Sequence, residues 1–191
     1  MRPLKHSVRS TGGLRAHRLA PRIAALGFAA LASCLCLTAS ASAASVAVWR
    51  LSTANGNHFY AARCSDVQLA TGPSGRHKLE RLAFYINDAP QAGSAPLFRF
   101  FKDNDYFYTT DGFAEGDSNY NLEAILGYVW KGAAAGKVPL YRAYSAQKGD
   151  HFYTTDVNEY NSATRTSGYK AEGIVAYVNS SGVNQCPALG K

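Results

Sequence analysis

One motif of this sequence reads Pro139-Leu-Tyr-Arg-Ala-Tyr144, then Gly149-Asp-His-Phe-Tyr-Thr-Thr-Asp156, and then Tyr169-Lys-Ala-Glu-Gly-Ile-Val-Ala-Tyr-Val178. It also occurs as Pro96-Leu-Phe-Arg-Phe-Phe101, Asp105-Tyr-Phe-Tyr-Thr-Thr-Asp111 and Tyr120-Asn-Leu-Glu-Ala-Ile-Leu-Gly-Tyr-Val129. A diverged copy precedes both: Val48-Trp-Arg-Leu51, Asn57-His-Phe-Tyr-Ala61 and Leu79-Glu-Arg-Leu-Ala-Phe-Tyr-Ile86. Such repetition indicates one supersecondary unit per copy, numbered here repeat one (about 46–88), repeat two (about 96–131) and repeat three (about 139–179).

The repeats are rich in aromatic and β-branched residues, which are typical of half-buried strands. Turn-forming residues separate two such runs at 53–57 and at 146–150, which predicts hairpin loops there. The polar stretch 157–167 has weak helical character, and we expect a loop or one short helix. The sequence therefore predicts an all-β domain over residues 44–185 and a C-terminal tail at residues 186–191.

Three β-rich copies are compatible with few architectures. A propeller typically needs at least four blades. A solenoid needs capping units, for which little chain is left. A closed barrel of three copies leaves no repeat at an edge. We therefore expect a β-trefoil-like fold of three pseudo-symmetric repeats.

Residues 1–43 have the features of a secretory signal peptide. Their first half is basic and has no acidic residue, Ile23–Leu37 is apolar, and small residues follow. This order predicts export, with cleavage after Ala43. An alternative is a lipoprotein anchored through Cys34, because Leu31-Ala-Ser-Cys34 resembles a lipobox. The apolar run is shorter than the roughly 20 residues of a membrane-spanning helix, so we expect no membrane span.

The net charge of +7 comes mostly from this export segment. Six of the 20 Lys and Arg residues lie in residues 1–22, which leaves 14 basic against 13 acidic residues after the predicted cleavage. A nearly neutral protein lacks the electrostatic footprint of nucleic-acid binding, so we expect no nucleic-acid partner.

Two cysteines remain after the predicted cleavage, Cys64 and Cys186. In an exported chain such a pair is expected to form a disulfide. Closing so long a loop stabilises a fold by about 4–5 kcal/mol in the chain-entropy model. The alternative is a pair of inert buried thiols.

These motifs resemble the secreted bacterial and fungal repeat modules of the domain-of-unknown-function family 5648. The resemblance rests on Pro-Leu-Tyr-Arg, Gly-Asp-His-Phe-Tyr-Thr-Thr-Asp and Gly-Tyr-x-x-Glu-Gly-x-x-x-Tyr-Val, and it covers residues 46–179. Repeat one departs from it at Ala61 and Ala62, where Thr is usual, and at His77, where Tyr is usual. The resemblance implies an extracellular, lectin-like trefoil without established catalytic residues.

One column of the repeats holds arginine and another holds glutamate. The residues are Arg50, Arg99, Arg142, Glu80, Glu123 and Glu172. Because charge is rarely buried unpaired, we predict one structural ion pair per repeat, for example Arg142 with Glu172, joining its first strand to its last. The alternative is a polar ligand site in each repeat.

Candidate ligand-binding residues lie at and after the Phe-Tyr pairs of repeats two and three. They are Tyr108, Thr110, Asp111, Tyr153, Thr155 and Asp156, together with His151. Sugars can stack their apolar faces on such rings while Asp and Thr bind hydroxyl groups. The alternative is that both tyrosines pack in the core. Asp150-His151 has no convergent ligand set around it, so we predict no metal site and no cofactor.

The leading interpretation is a secreted, non-catalytic module that binds carbohydrate or a cell-envelope polysaccharide. The alternative is an extracellular protein-interaction or inhibitory module, with the weakly repeated segment 63–78 as its contact surface. A hydrolase is the third possibility. It is disfavoured because only His58, His77 and His151 follow the export segment, and no nucleophile motif accompanies them.

Overall fold

A computed structural model describes residues 42–189. The predicted signal peptide, apart from its last two residues, and the alternative lipid anchor Cys34 lie outside the described residues, as do residues 190 and 191. Within the described chain, no helix is both long and apolar enough to cross a bilayer.

Nine strands and two short helices make up the fold, which confirms the all-β prediction. The strands are β1 (Ser45–Thr53), β2 (His58–Ala61), β3 (His77–Asn87), β4 (Ser94–Lys102), β5 (Asp105–Thr109), β6 (Asn121–Trp130), β7 (Lys137–Ser145), β8 (Asp150–Thr154) and β9 (Lys170–Asn179). The helices are α1 (Cys64–Thr71) and α2 (Val157–Thr166). Short 3₁₀ turns lie at Ala114–Gly116 and Pro187–Leu189. The polar stretch of repeat three is therefore the short helix α2, one of the two predicted forms.

Each repeat contributes three antiparallel strands, in which the first strand pairs with both the second and the third. The column arginine of each first strand lies between two register shifts in the pairing with the third strand, for example at Leu140/Tyr141 and Arg142/Ala143. A β-bulge changes the direction in which a side chain points. The repeated bulges therefore give all three arginines a common orientation.

The third strands join the repeats to one another. β3 pairs with β6 at Asn87 and Tyr128, β6 pairs with β9 at Trp130 and Tyr177, and β3 pairs with β9. All nine strands thus belong to one hydrogen-bonded sheet. Each repeat contacts the other two through equivalent strand ends.

Three tyrosines, Tyr60, Tyr108 and Tyr153, form the centre of the main core, and each is at most 1% exposed. Their rings meet edge to face, with centroids 5.3–5.5 Å apart. Each hydroxyl donates to the backbone carbonyl of another tyrosine in the trio and accepts from the backbone N–H of that same residue. Burial raises the pKa of all three well above its ordinary value, so the hydroxyls remain protonated donors.

The C-terminal segment returns to the first strand. Val183 forms a parallel bridge with Val46, and the Gln185 side chain bonds the backbone N–H and carbonyl of Ala47. Cys186 is 4% exposed and forms the predicted disulfide with Cys64. The folded part of the chain therefore continues beyond residue 185, into the predicted tail.

We predict that Tyr153→Phe destabilises the fold by about 1–3 kcal/mol, because the backbone N–H and carbonyl of Tyr108 lose their buried partner. The substitution keeps the ring, so it opens no cavity of consequence. Urea unfolding, compared with Tyr141→Phe as the control in the same repeat, measures the difference. Equal stability of the two variants would contradict a structural role for the central hydroxyl groups.

Candidate binding site

The predicted Arg–Glu pair is present in all three repeats. The Nε atoms of Arg50, Arg99 and Arg142 lie 2.6, 3.0 and 2.6 Å from a carboxylate oxygen of the glutamate on the third strand of the same repeat. Arg50 and Arg142 are buried, and the Arg99 side chain is 13% exposed. These pairs tie the first strand of each repeat to its last.

Each arginine also contacts a carboxylate of the repeat before it in the chain, and for repeat one the partner is repeat three. Arg142 donates to both carboxylate oxygens of Glu115 at 2.8 and 2.9 Å, and its guanidinium lies 4.8 Å from the centroid of the Phe107 ring. These hydrogen bonds from Arg142 lower the pKa of Glu115, which therefore stays ionised. The arginine column thus forms the polar contact between repeats.

The same contact recurs at the other two interfaces. Arg50 of repeat one lies 2.9 Å from Glu159 of repeat three, and Arg99 of repeat two lies 3.7 Å from Asp66 of repeat one. Their guanidinium groups also lie about 5 Å from the centroids of phenylalanine rings, 5.1 Å for Arg50 and 5.0 Å for Arg99. Truncating one member of such a buried pair leaves an uncompensated charge, which typically costs about 3–5 kcal/mol.

A histidine joins repeat three to repeat two. The backbone N–H of His151 donates to Asp105 at 2.9 Å, and His151 Nδ1 lies 2.6 Å from the other oxygen of that carboxylate. The Tyr120 hydroxyl donates to Asp105 Oδ2 at 2.5 Å. Asp105 is 3% exposed, so its carboxylate is satisfied entirely by groups of the two repeats.

The same triad joins repeat one to repeat three through His58, Asp150 and Tyr169, with bonds of 2.6–2.7 Å. Burial alone would raise the pKa of Asp150, but hydrogen bonds from His58 and Tyr169 outweigh burial and lower it. His58 and His151 therefore occupy one repeat position on two separate interfaces.

The interface between repeats one and two has lost this triad. Asn57 takes the place of the aspartate, Tyr106 that of the histidine and His77 that of the tyrosine. The Asn57 side-chain amide donates instead to the backbone carbonyls of Asn104 and Gly149, at 3.2 and 3.1 Å. Burial lowers the pKa of His77.

Repeat two lacks the helix that follows the second strand in repeats one and three. Its chain instead turns through Ala114, Glu115 and Gly116, with φ values of 51°, 54° and 93°. Two consecutive residues with a Cβ in the left-handed region carry backbone strain, and such strain is concentrated at functional sites. The turn places Glu115 against Arg142, as α2 places Glu159 against Arg50.

The short turn leaves apolar side chains uncovered. Phe113 is 85% exposed and Leu122 is 56% exposed. They line a groove of about 290 Å³ together with Phe100 and Tyr120. In repeat three the residues equivalent to Phe100 and Tyr120 are Ala143 and Tyr169, which pack with Ala163 of α2.

A larger polar cleft of about 480 Å³ lies between repeats two and three. Its lining residues carry carboxylates, cations and rings, and they are Lys102, Asp103, Asp105, Phe107, Ala114, Glu115, Asp117, Tyr120, Arg142, Tyr144, Gly149, His151 and Glu172. The cleft shares Ala114, Asp117 and Tyr120 with the groove of Phe113. Polar binding groups and an exposed aromatic ring are therefore neighbours on the surface.

Of the predicted ligand-binding residues, His151 lines this cleft and the two tyrosines do not. Tyr108 and Tyr153 are each 1% exposed, and their rings pack against one another and against Tyr60. The prediction that they bind a ligand directly is wrong, because their ring faces are inside the core.

The other four candidates lie next to the turn and the helix. Asp156 caps α2 by accepting from the N–H groups of Asn158 and Glu159, and Asp111 accepts from the N–H of Phe113 at 2.7 Å. Thr110 and Thr155 are half-buried. Asp111 thus supports the turn that presents Phe113.

Sequence reasoning missed Phe113, Glu115, Tyr120 and Tyr144 as residues of a possible site. One signal was available. The segment between Asp111 and Tyr120 is shorter than the equivalent segment between Asp156 and Tyr169, which contains α2. The difference in length indicates that repeat two has a different structure at this point.

The fold and the cleft define an all-β protein built from three sequence repeats that bind one another through buried Arg, Asp and His side chains. The chain belongs to the family described as a domain of unknown function (DUF5648), whose model matches residues 25–117 and 112–187. The resemblance found in the sequence is thereby confirmed. Comparison with curated proteins and with solved structures gave no match.

We predict that acid weakens the fold through carboxylates that are paired at the repeat interfaces and within repeat one. The pKa values of Asp150, Glu80 and Glu115 are lowered in the folded protein. Their stabilisation is complete above the ordinary carboxyl pKa of about 4, and it is lost as the pH falls through the lowered values. Thermal melts in a pH series should show the melting temperature falling below about pH 5.

Asp150→Asn separates this effect from general acid denaturation. The variant should be less stable than the parent at neutral pH by about 3 kcal/mol, and its stability should depend less on pH. Asp103→Asn, at an exposed position, is the matched control. Parallel pH curves for the parent and Asp150→Asn would rule out this role for the buried carboxylate.

Proposed function

We propose that this protein is a secreted, non-catalytic binding module that recognises carbohydrate at the cleft between repeats two and three. The observation that carries the proposal is the exposed Phe113 ring beside a cleft lined by carboxylates and tyrosines. A sugar has an apolar face that stacks on an aromatic ring and hydroxyl groups that bind polar side chains. The site offers both kinds of contact.

The dimensions of the cleft suit this ligand. Small-molecule sites typically occupy roughly 300–1,000 Å³, and the cleft of about 480 Å³ falls in that range. Tyr144 and Tyr120 are half-buried, so part of each amphipathic ring faces the cleft. Amphipathic rings of this kind are favoured where one contact is apolar and the other polar.

The strained turn supports the same conclusion. Ala114 and Glu115 keep a left-handed backbone because Arg142 and Thr109 bind the Glu115 carboxylate. The consequence is a fixed backbone position for Phe113, so less backbone entropy is lost when the ring binds a ligand.

A non-catalytic role is favoured by the chemistry of the cleft. None of the described residues that line it is Ser, Thr or Cys, so Asp105 and His151 face no nucleophile there. Glu115 and Glu172 both pair with Arg142, which disfavours either of them as a proton donor.

The expected architecture and location are part of this proposal. An approximate threefold arrangement, as in a β-trefoil, is supported by the cycle of tyrosine hydrogen bonds and by the pairing of the three third strands. Export is supported by the disulfide between Cys64 and Cys186, because such bonds persist in oxidising compartments. An accessible ligand there is a cell-envelope or environmental polysaccharide.

Protein binding through segment 63–78 is the second candidate. Within this segment α1 occupies Cys64–Thr71 and buries Val67. The observation that favours protein binding is Leu69, which is 77% exposed on that helix. Isolated exposed leucines are common on monomeric proteins, so this candidate ranks below the cleft.

We predict that Phe113→Ala lowers the affinity for a bound polysaccharide by about tenfold, the loss expected when a stacked ring is removed. Because Phe113 is exposed, the melting temperature should stay unchanged. Leu69→Ala is the matched control, since it removes an equally exposed apolar side chain from repeat one.

A glycan array and sedimentation with insoluble polysaccharides measure both variants. Absence of binding by the folded, disulfide-bonded parent would contradict the proposal that the protein binds carbohydrate. A protein partner that is lost on Leu69→Ala and retained on Phe113→Ala would favour the second candidate.

A further inference from the structure

In repeats one and three, a hydrogen bond joins the residue before the first strand to the residue after the third strand. The Asp88 N–H donates to the Ala44 carbonyl at 3.0 Å, and the Ser180 N–H donates to the Gly136 carbonyl at 3.1 Å. Ala44 precedes β1 as Gly136 precedes β7, so the two bonds occupy equivalent positions. The position before β4 in repeat two is Gly93.

The chain enters repeat one differently from the other two repeats. Gly93 and Gly136 have left-handed φ values of 77° and 70°, because a turn from the preceding linker leads into the strand. Ala44 does not adopt this conformation. It follows the predicted export segment directly, so it is the one residue of the three that processing can turn into a chain end.

The residue opposite Ala44 is also the one acidic residue at its repeat position. Asp88 corresponds to Lys131 in repeat two and to Ser180 in repeat three. Its Oδ1 accepts a hydrogen bond from the Ala44 backbone nitrogen at 2.8 Å. A carboxylate therefore faces the strand entry in the repeat that follows the predicted leader, and in neither of the others.

Asp88 has no cationic side chain as a partner among the described residues. It lines a cavity of about 470 Å³ between repeats one and two, and the other titratable side chains of that lining are Arg63 and Tyr128. Arg63 forms no ion pair with Asp88 within the described chain. The contact of the carboxylate is thus with the Ala44 nitrogen, which is neutral while it belongs to a peptide bond.

Removal of the predicted leader changes the charge of that nitrogen. Hydrolysis of the bond between Ala43 and Ala44 consumes one water molecule and leaves a carboxylate on Ala43 and an ammonium group on Ala44. The nitrogen that gains the charge already lies 2.8 Å from Asp88 Oδ1. A hydrogen bond in which both groups are ionised is roughly twice as strong as a neutral one.

The position of Asp88 also distinguishes between two cleavage sites. The sequence has an A-x-A pattern at residues 39–41 and another at residues 41–43. Cleavage after residue 41 would place the ammonium group on Ser42, which is exposed and lies two residues before Ala44. Cleavage after Ala43 places it opposite the carboxylate.

We infer that Asp88 binds the α-ammonium group that export creates at Ala44, and that this ion pair fixes the start of β1 in the mature protein. The inference rests on the export that is part of the proposed function, and it is independent of the carbohydrate ligand. The start of β1 is a point on which repeat one depends, because β1 pairs with β2, with β3 and with the C-terminal segment.

The amino terminus of the exported protein tests the cleavage site. The full chain, with residues 1–43 included, is expressed in an exporting bacterium, and the product is analysed by intact mass and N-terminal sequencing. The expected product begins at Ala44 with a free amine. A product that begins at Ser42, or one that is lipidated at Cys34, overturns the inference and leaves export in place. A chain that keeps residues 1–43 overturns both.

The α-amino group of the mature chain reports the contact with Asp88 directly. Its pKa should lie above the ordinary value of about 7.7–8.0, because a neighbouring carboxylate favours the charged form. Asp88→Asn keeps an oxygen acceptor and removes the charge, so the pKa should return to the ordinary range. Asp103→Asn, at an exposed position in repeat two, is the matched control and should leave the pKa unchanged. NMR titration measures all three proteins, and equal values for the parent and Asp88→Asn overturn the inference.

Stability should depend on pH with a defined sign. A group whose pKa is raised on folding stabilises the fold below its unfolded pKa, and the gain is lost as the pH rises through the folded pKa. Asp88→Asn should therefore lower the melting temperature of the mature chain by about 2–4 °C at pH 6, and by less at pH 10. An equal or larger loss at pH 10 shows that Asp88 acts without the ammonium charge, which overturns the inference.

Discussion

The hydrogen bonds among Tyr60, Tyr108 and Tyr153 are the interaction on which the rest of the structure depends. Each hydroxyl bonds both backbone groups of another tyrosine in the trio, so one side chain sets the position of a strand in a different repeat. The core excludes water, and an unpaired hydroxyl or backbone group there would cost about 1–3 kcal/mol. Because the three contacts form a cycle, the second strands of all repeats are positioned together. The arginine and histidine contacts between repeats follow from that placement.

The repeats share their contacts with one another, but they differ in the segment that makes one of these contacts. The fold requires each arginine to meet a carboxylate of the preceding repeat, and all three repeats meet this requirement with Asp66, Glu115 or Glu159. The segment that carries that carboxylate is free to vary. Helices provide it in repeats one and three, and a strained turn provides it in repeat two. The proposed binding surface therefore arises where the fold tolerates variation, and the shared contacts remain intact beside it.

Much of this architecture could be predicted from the repeats in the sequence. The columns of Arg and Glu predicted the pairs within each repeat, and two cysteines predicted the disulfide. The burial of Tyr108 and Tyr153 was harder to predict. Alternation along a strand assigns side chains to two faces and leaves open which face is buried, whereas side chains on both faces of β5 and β8 are buried. The exposure of Phe113 was missed for another reason. It depends on positive φ values at Ala114 and Glu115, residue types that do not favour that conformation, and a tertiary contact with Arg142 stabilises them.

The return of the C-terminal segment to β1 also has a consequence for how the module can be connected. Val183 N–H bonds the Ser45 carbonyl at 2.8 Å, and Val183 forms a parallel bridge with Val46, so the last described segment runs beside β1 in the same direction. It then continues to the disulfide between Cys186 and Cys64, while Ala44 at the other end bonds Asp88. Both ends of the described chain therefore contact repeat one, and a domain fused at either end would be attached to the repeat that contributes no residue to the cleft between repeats two and three.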